Sequence, residues 1–243
     1  MTTVTRSVSV LVVEDHELLA ETLRLALSEE GIPAATVAPT STADVLAAAG
    51  HLHPGVVLLD LDLGEPIGDG SALVQPLVEL DSAVLVLTGI TEHTRVAVAL
   101  EAGAVGWLSK TAPFDRFLAV VLDALAGRPV LGDAERFELL ALLRRRRAGE
   151  RRRHAPFMRL SPREQQVLLE LADGHGVAAI ARRHHVAEAT VRTQVRGVLT
   201  KLGVRNQLEA VALARDAGWL DRATMAPEGS GRDIARTLGT DEP

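Results

Sequence analysis

The chain has no cysteine and no tyrosine, and only four phenylalanines and two tryptophans in 243 residues. Without cysteine, disulfides and thiolate metal sites are excluded, and a reducing cytoplasm is the expected location. With aromatics at 2% and hydrophobic residues at 47%, any core is aliphatic, built from Leu, Val, Ile and Ala. No apolar run reaches the roughly 18 residues a membrane-spanning helix needs, so no membrane partner is expected. A signal peptide fits poorly too, because one Arg precedes the first apolar run and Glu14-Asp15 ends it. Charge is unevenly spread. Residues 1–132 hold 6 Lys+Arg against 17 Asp+Glu, a net −11, and residues 133–220 hold 17 against 10, a net +7. An acidic half followed by a basic half suggests a regulatory or metal-binding domain joined to a nucleic-acid-binding one.

The first 127 residues alternate short apolar runs with helical spacing. Val8–Val13, Ala34–Val37, Val56–Asp60, Val84–Thr88 and Trp107–Ser109 read as strands. Helices are expected over Leu18–Leu27, Thr42–Ala49, Ser71–Leu80, Thr91–Glu101 and Phe114–Ala126, with Gly31, Gly103 and Gly127 as stops. Five strands alternating with five helices imply a doubly wound parallel sheet. In such a sheet, ligands sit at the carboxyl ends of the strands. There the runs meet Glu14-Asp15, Asp60, Thr88 and Lys110. Converging carboxylates repel one another unless a cation lies among them, which points to Mg²⁺. A hydroxyl and an ammonium beside that cation suit phosphoryl transfer.

These five residues, in this order at strand ends, resemble the signature of bacterial response-regulator receiver domains over about residues 6–127. The resemblance implies a flavodoxin-like α/β receiver domain in which Asp60 is the phosphoacceptor, charged by a sensor histidine kinase. It implies Mg²⁺ held by Asp15, Asp60 and the backbone carbonyl of Asp62, with Glu14 acting through water. Lys110 pairs with the acyl phosphate, and Thr88 donates to a phosphoryl oxygen and moves toward it. Trp107 stands where the family has its rotating aromatic, and both a switch role and simple packing are open. By the same resemblance the receiver catalyses its own phosphoryl transfer and dephosphorylation, without being an enzyme on other substrates. Two positions depart from the family pattern. The loop Leu61–Gly70 is longer and carries extra acids, Asp62, Glu65 and Asp69, and Gly89 replaces Ala after the threonine. Asp60-Leu61-Asp62 also resembles the DxD of haloacid-dehalogenase-type phosphatases. In those, however, the remaining acids follow the lysine, and here the acidic pair comes first.

Residues 133–147 are expected to form an amphipathic helix ending in Arg144–Arg147, and residues 148–156, with Gly149, Arg151–Arg153 and Pro156, a flexible linker. Its arginines read as a solvated tether or as phosphate contacts. Ser161-Pro162-Arg163-Glu164 is a complete helix start. Further helices are expected over Val177–His184, Glu188–Leu202 and from Asn206 to about Ala217, with a tight turn at His185–Ala187. Residues 221–243, rich in Gly, Pro, Ser and charge, read as a disordered tail.

From Leu160-Ser161-Pro162-Arg163-Glu164 through Thr190-Val191-Arg192 to Leu199-Thr200-Lys201-Leu202-Gly203-Val204, the second half resembles the LuxR-type helix-turn-helix of the NarL/FixJ family, over about 158–220. The resemblance implies an all-α DNA-binding domain whose Glu188–Leu202 helix enters the major groove of double-stranded DNA. Val191, Val195, Val198 and Leu202 would face the core. Arg192, Thr193 and Arg196 would face bases or phosphates, and sequence does not separate the two. Lys201 and Arg205 read as phosphate ligands or as a solvated helix end. Gly176, Ala178, Ala179, His184-His185 and Ala187 depart from the family pattern and remove two side-chain caps. The expected domains are thus a receiver (1–127), a linker (128–157), a DNA-binding domain (158–220) and a tail (221–243). The whole is expected to act as a phosphorylation-controlled, dimer-forming transcriptional regulator. An orphan regulator that works without phosphorylation is the alternative.

Overall fold

The structure is a computed structural model that describes residues 8–89 and 93–221. Strands β1 (Val10–Val13), β2 (Ala34–Val37), β3 (Val56–Asp60), β4 (Ala83–Thr88) and β5 (Gly106–Ser109) form one parallel sheet in the order β2-β1-β3-β4-β5. Parallel neighbours need crossovers, which helices provide. These are α1 (Glu17–Glu29), α2 (Thr42–Leu52), α3 (Ser71–Glu79) and α4 (His93–Glu101), and α5 (Phe114–Leu125) closes the layer. The chain leaves β1 one way to β2 and returns past β1 to β3. The strand order therefore reverses between β1 and β3, where a doubly wound sheet opens a crevice.

Both faces of this sheet are covered, which explains why its strands read as unbroken apolar runs. Alternation sorts each strand between two cores. Leu11, Val13, Val57, Leu59, Val84 and Val86 face the layer that includes Val45 of α2, Leu73 of α3 and Val96 of α4. Val10, Val12, Val56, Leu58, Leu85 and Leu87 face Leu27 of α1 and Phe117 and Val121 of α5.

Helix α6 (Asp133–His154) differs from expectation. The sequence predicts a flexible linker over residues 148–156, yet the helix runs on without a break to His154. Gly149 costs only about 1 kcal/mol in a helix interior, and its neighbours Ala148, Glu150 and the arginines are strong helix formers. Pro156, the residue that does stop a helix, comes after the end. The first half of α6 buries Leu139 and Leu143 in the same core as α4. The chain divides into two compact units between Arg146 and Arg147, a boundary inside α6.

The second unit holds α7 (Pro162–Ala172), α8 (Val177–Arg183), α9 (Glu188–Leu202) and α10 (Gln207–Asp216), preceded by a short 3₁₀ turn at Phe157–Arg159. Ser161 and Glu164 form the reciprocal cap expected at the start of α7. Asn206 caps α10 by accepting from the Glu209 amide. The starts of α8 and α9, at Gly176 and Ala187, have no side-chain cap, as their residues imply. Val191, Val195, Val198 and Leu202 of α9 are buried. Phe157 stacks on Trp219 with ring centres 5.3 Å apart, so two of the chain's few aromatics join the two ends of this unit. Among the described residues no helix is long and apolar enough to cross a membrane. The expected tail, apart from Asp221, and the expected start of α4 at Thr91 lie outside the described residues.

Candidate functional site

Asp60 ends β3 and Glu14 follows β1 directly, and both are essentially buried, at 1% and 2% exposure. A buried carboxylate needs a partner. Lys110, just past β5, supplies it. Its Nζ donates to Asp60 Oδ2 at 2.8 Å and to Glu14 Oε1 at 2.9 Å. Glu14 Oε2 lies 2.7 Å from the same ammonium but is not aligned with it as an acceptor, and it is buried without a hydrogen bond. Burial pushes the Glu14 carboxyl above its ordinary value, and the charge of Asp60 adds to this. The hydrogen bond and charge of Lys110 oppose the shift without cancelling it. Burial by itself would lower the Lys110 pKa, but hydrogen bonds to Asp60 and Glu14 outweigh it and hold the ammonium charged above its usual range.

Asp15 is exposed at the mouth of the crevice. His16, absent from the sequence-level expectation, joins the acidic pair, with Nδ1 2.8 Å from Asp15 Oδ1 and 3.1 Å from Glu14 Oε1. These hydrogen bonds, Glu14 first, and the two negative charges raise the imidazole pKa. Ligand atoms of Glu14, Asp15 and His16 lie within 4.8 Å of one another, the one such cluster among the described residues. Asp60 is outside that cluster and is tied to Glu14 through Lys110. Asp62 is exposed, its backbone bridged to Asp69 across the loop. That loop returns close to the site twice. A side chain at Gly64 would sit 3.2 Å from Asp15 Oδ2, and one at Gly70 would collide with the Asp60 carbonyl. The carboxylates of Glu14 and Asp15, with one Glu14 oxygen buried and unbonded, fit a hard divalent cation, and Lys110 ties Asp60 to them.

Thr88 ends β4, buried at 7% exposure, and its carbonyl accepts from the Lys110 amide at 2.8 Å. Trp107 is half-buried on β5. Its indole N–H donates to Glu135 Oε1 of α6 at 3.0 Å, and its ring meets His93 of α4 edge-on at 6.4 Å. Arg136 of α6 donates to the Val105 carbonyl at 2.7 Å. Arg95 of α4 donates to the Leu61 carbonyl and, at 3.3 Å, to Asp69 Oδ1, so α4 holds the long acidic loop. Neither Glu135 nor Arg95 carries a local signal in the sequence, since each acts across a tertiary contact.

In the second unit Arg192, Thr193 and Arg196 are exposed on α9, on the side away from its buried valines. Arg192 pairs with Glu188 at 2.9 Å, and the Thr193 hydroxyl donates to the Ala189 carbonyl. Arg205 is exposed, and its amide donates to Glu209 at 2.8 Å. Lys201 is likewise exposed. Its Nζ is 2.6 Å from the buried Glu164 carboxylate.

The match to known families follows this division. Residues 10–122 match the response regulator receiver domain, and residues 158–214 match the bacterial regulatory proteins of the luxR family. The chain belongs to the NarL/FixJ family of response regulators. A probable transcriptional regulatory protein NarL of Mycobacterium tuberculosis is 36% identical over 219 residues, covering 88% of this chain and 96% of that protein. The response regulator protein VraR of Staphylococcus aureus is 30% identical over 209 residues, covering 86% and 96%. Among solved structures, full-length FixJ from B. japonicum matches 89% of this chain and 100% of its own at 25% identity, with a TM-score of 0.44. The regulator is thus a DNA-binding transcriptional regulator. Its receiver match contains Asp60-Leu61-Asp62, which assigns that motif to a receiver rather than to a phosphatase.

Proposed function

We propose that Asp60 is the phosphoacceptor of this regulator and that a sensor histidine kinase supplies the phosphoryl group. The observation that carries this reading is the Lys110 ammonium bridging Asp60 Oδ2 and Glu14 at 2.7–2.9 Å. Lys110 holds one carboxylate oxygen, and the other attacks phosphorus. The P–N bond of the kinase phosphohistidine breaks, its electron pair returns to the imidazole, and a mixed anhydride forms on Asp60. Lys110 then faces the phosphoryl oxygens instead of a bare carboxylate. Asp15, Asp60 and the Asp62 carbonyl would hold Mg²⁺, with Glu14 acting through water. When bound, the ion supplies neutralising charge for the transferring group. Attack by water on phosphorus reverses the modification at the same site, which is the receiver's own dephosphorylation.

Thr88 donates to a phosphoryl oxygen once the phosphate is present, and Trp107 responds. Because the Trp107 indole is hydrogen-bonded to Glu135, the response reaches α6, the element that leads into the DNA-binding unit. There α9 enters the major groove, with Arg192, Thr193 and Arg196 toward the bases and phosphates and Arg205 toward the backbone. Two copies on two half-sites complete the functional form, and the reaction belongs to the cytoplasm, where kinase and DNA both meet it.

Acetyl phosphate provides the test. The wild-type chain should take up label in the presence of Mg²⁺ and the Asp60→Asn variant should not, and label retained by the variant would refute the assignment. A regulator that works without phosphorylation is the competing reading, favoured by the acidic loop that Arg95 pins to α4. Equal DNA affinity with and without beryllofluoride would favour it.

A further inference from the structure

Arg144–Arg147 and Arg151–Arg153 place seven arginines in ten residues of α6, with Glu150 the single acid among them. The bland explanation is that cations near a helix C-terminus complement its dipole. One or two charges in the last turn would satisfy that requirement. The tract also sets Arg147 and Arg151 one turn apart, and such like-charge pairs weaken a helix. A polyanion that binds the tract removes this penalty.

The structure adds three facts to the composition. First, the tract is helical throughout rather than a loose tether, so its charges are presented in fixed directions. Second, the side chains of Arg151, Arg152 and Arg153 are exposed and make no ion pair or hydrogen bond with other described residues. Third, these three arginines lie in the same compact unit as α7–α10. Residues 147–221 hold 13 Lys+Arg against 8 Asp+Glu, so the unit as a whole is attractive to a polyanion. Successive side chains leave a helix about 100° apart, so the three arginines span much of its circumference. That distribution suits phosphates lining both sides of a groove and does not suit one flat surface.

We propose that the C-terminal half of α6 is a second DNA-contacting surface, in which Arg151, Arg152 and Arg153 bind duplex phosphates without reading sequence. This rests on the DNA-binding reading and extends it from α9 to the helix preceding the unit. Arginine forks match phosphate oxygens, and each phosphate neutralised releases counterions.

Binding of the full-length chain to a mixed-sequence duplex should be measured by fluorescence anisotropy over a range of KCl concentrations. Changing Arg151, Arg152 and Arg153 together to Gln should weaken binding. It should also flatten the plot of log affinity against log salt by up to about 2.7, at ~0.9 for each phosphate that is no longer neutralised. The same positions changed to Lys should keep the wild-type slope. Both sets suit a helix, and circular dichroism checks that the fold is retained. An unchanged slope in the Gln variant overturns the proposal, and loss of binding to phosphatidylserine vesicles in that case would assign the tract to an anionic lipid surface. Tighter DNA binding by the Gln variant also overturns it, by showing the tract satisfied within the chain. Weaker binding by Gln and Lys variants alike overturns it too, since charge would not then be the cause. The double variant Arg192→Gln with Arg196→Gln separates the two readings. With α6 intact it should keep the tract's share of the slope, whereas wild-type binding from this double variant would count against α9 alone. A wild-type chain that binds no duplex would sink both readings.

Discussion

Two lysines of this chain illustrate how much of a site can be read from residues alone. Lys110 follows a short apolar run, as Asp60 ends another, and their meeting at 2.8 Å was legible because both stand at strand ends of one sheet. Lys201 reads equally well as a phosphate ligand or a solvated helix end, yet its ammonium is held by Glu164, 37 residues earlier. Nothing local announces that pairing. A hint lay in Gly197, mid-helix in α9, where a side chain would collide with the Glu164 carboxylate. The pair has a pH signature. Burial would raise the Glu164 pKa, but Lys201 and the Ser161 cap outweigh it and hold the carboxyl below its ordinary value of 4.5. The native state therefore binds fewer protons than the unfolded chain below that pH. Its contribution is complete above 4.5 and is lost as pH falls through the lowered value. The Lys201 side chain is partly exposed, so solvent screening limits the interaction to about 1 kcal/mol. Lys201→Met should lower the thermal midpoint of the DNA-binding unit at neutral pH and blunt its loss below pH 4.5. A midpoint unmoved at neutral pH would show that the pair adds nothing to the stability of the unit.

At the scale of elements, every strand of the sheet is found where its apolar run stands, because burial on both faces leaves a continuous signature. Helix α6 was legible only in its first half. Periodic leucines marked residues 133–147, whereas the arginines beyond them carry no periodicity, and Gly149 suggested a break that the surrounding helix formers override. The same helix holds the contact with most functional weight, from Glu135 to the Trp107 indole. A packing residue and a switch residue at position 107 differ in what happens to that bond. In a Trp219→Phe background Trp107 is the sole indole. If it is a switch, beryllofluoride with Mg²⁺ should change its emission as the hydrogen bond to Glu135 breaks or re-forms. Glu135→Ala should shift the resting spectrum and shrink the further change on adding beryllofluoride. An emission spectrum indifferent to beryllofluoride in both proteins would reduce Trp107 to packing.

At the scale of the whole molecule, the charge asymmetry was the earliest clue and has a thermodynamic consequence. The acidic half places Glu14, Asp15 and Asp60 at one crevice, and the basic half presents arginines on α9 and along α6. If phosphorylation at Asp60 controls DNA binding, the two events share one coupling free energy. Such couplings are typically 1–3 kcal/mol, about 5- to 150-fold in affinity. Coupling of this kind is reciprocal. A duplex carrying the regulator's binding site should therefore tighten beryllofluoride binding by the same factor by which beryllofluoride tightens DNA binding. Calorimetric titration of beryllofluoride into the free regulator and into its DNA complex measures one side of that balance, and anisotropy with and without beryllofluoride measures the other. Equal factors above unity would establish control through the receiver, and dimer formation driven by beryllofluoride would contribute to both sides alike. Factors of one on both sides would mean that Asp60, however well placed for phosphoryl transfer, does not govern DNA binding. The alternative, a regulator governed by something other than phosphate, would then stand.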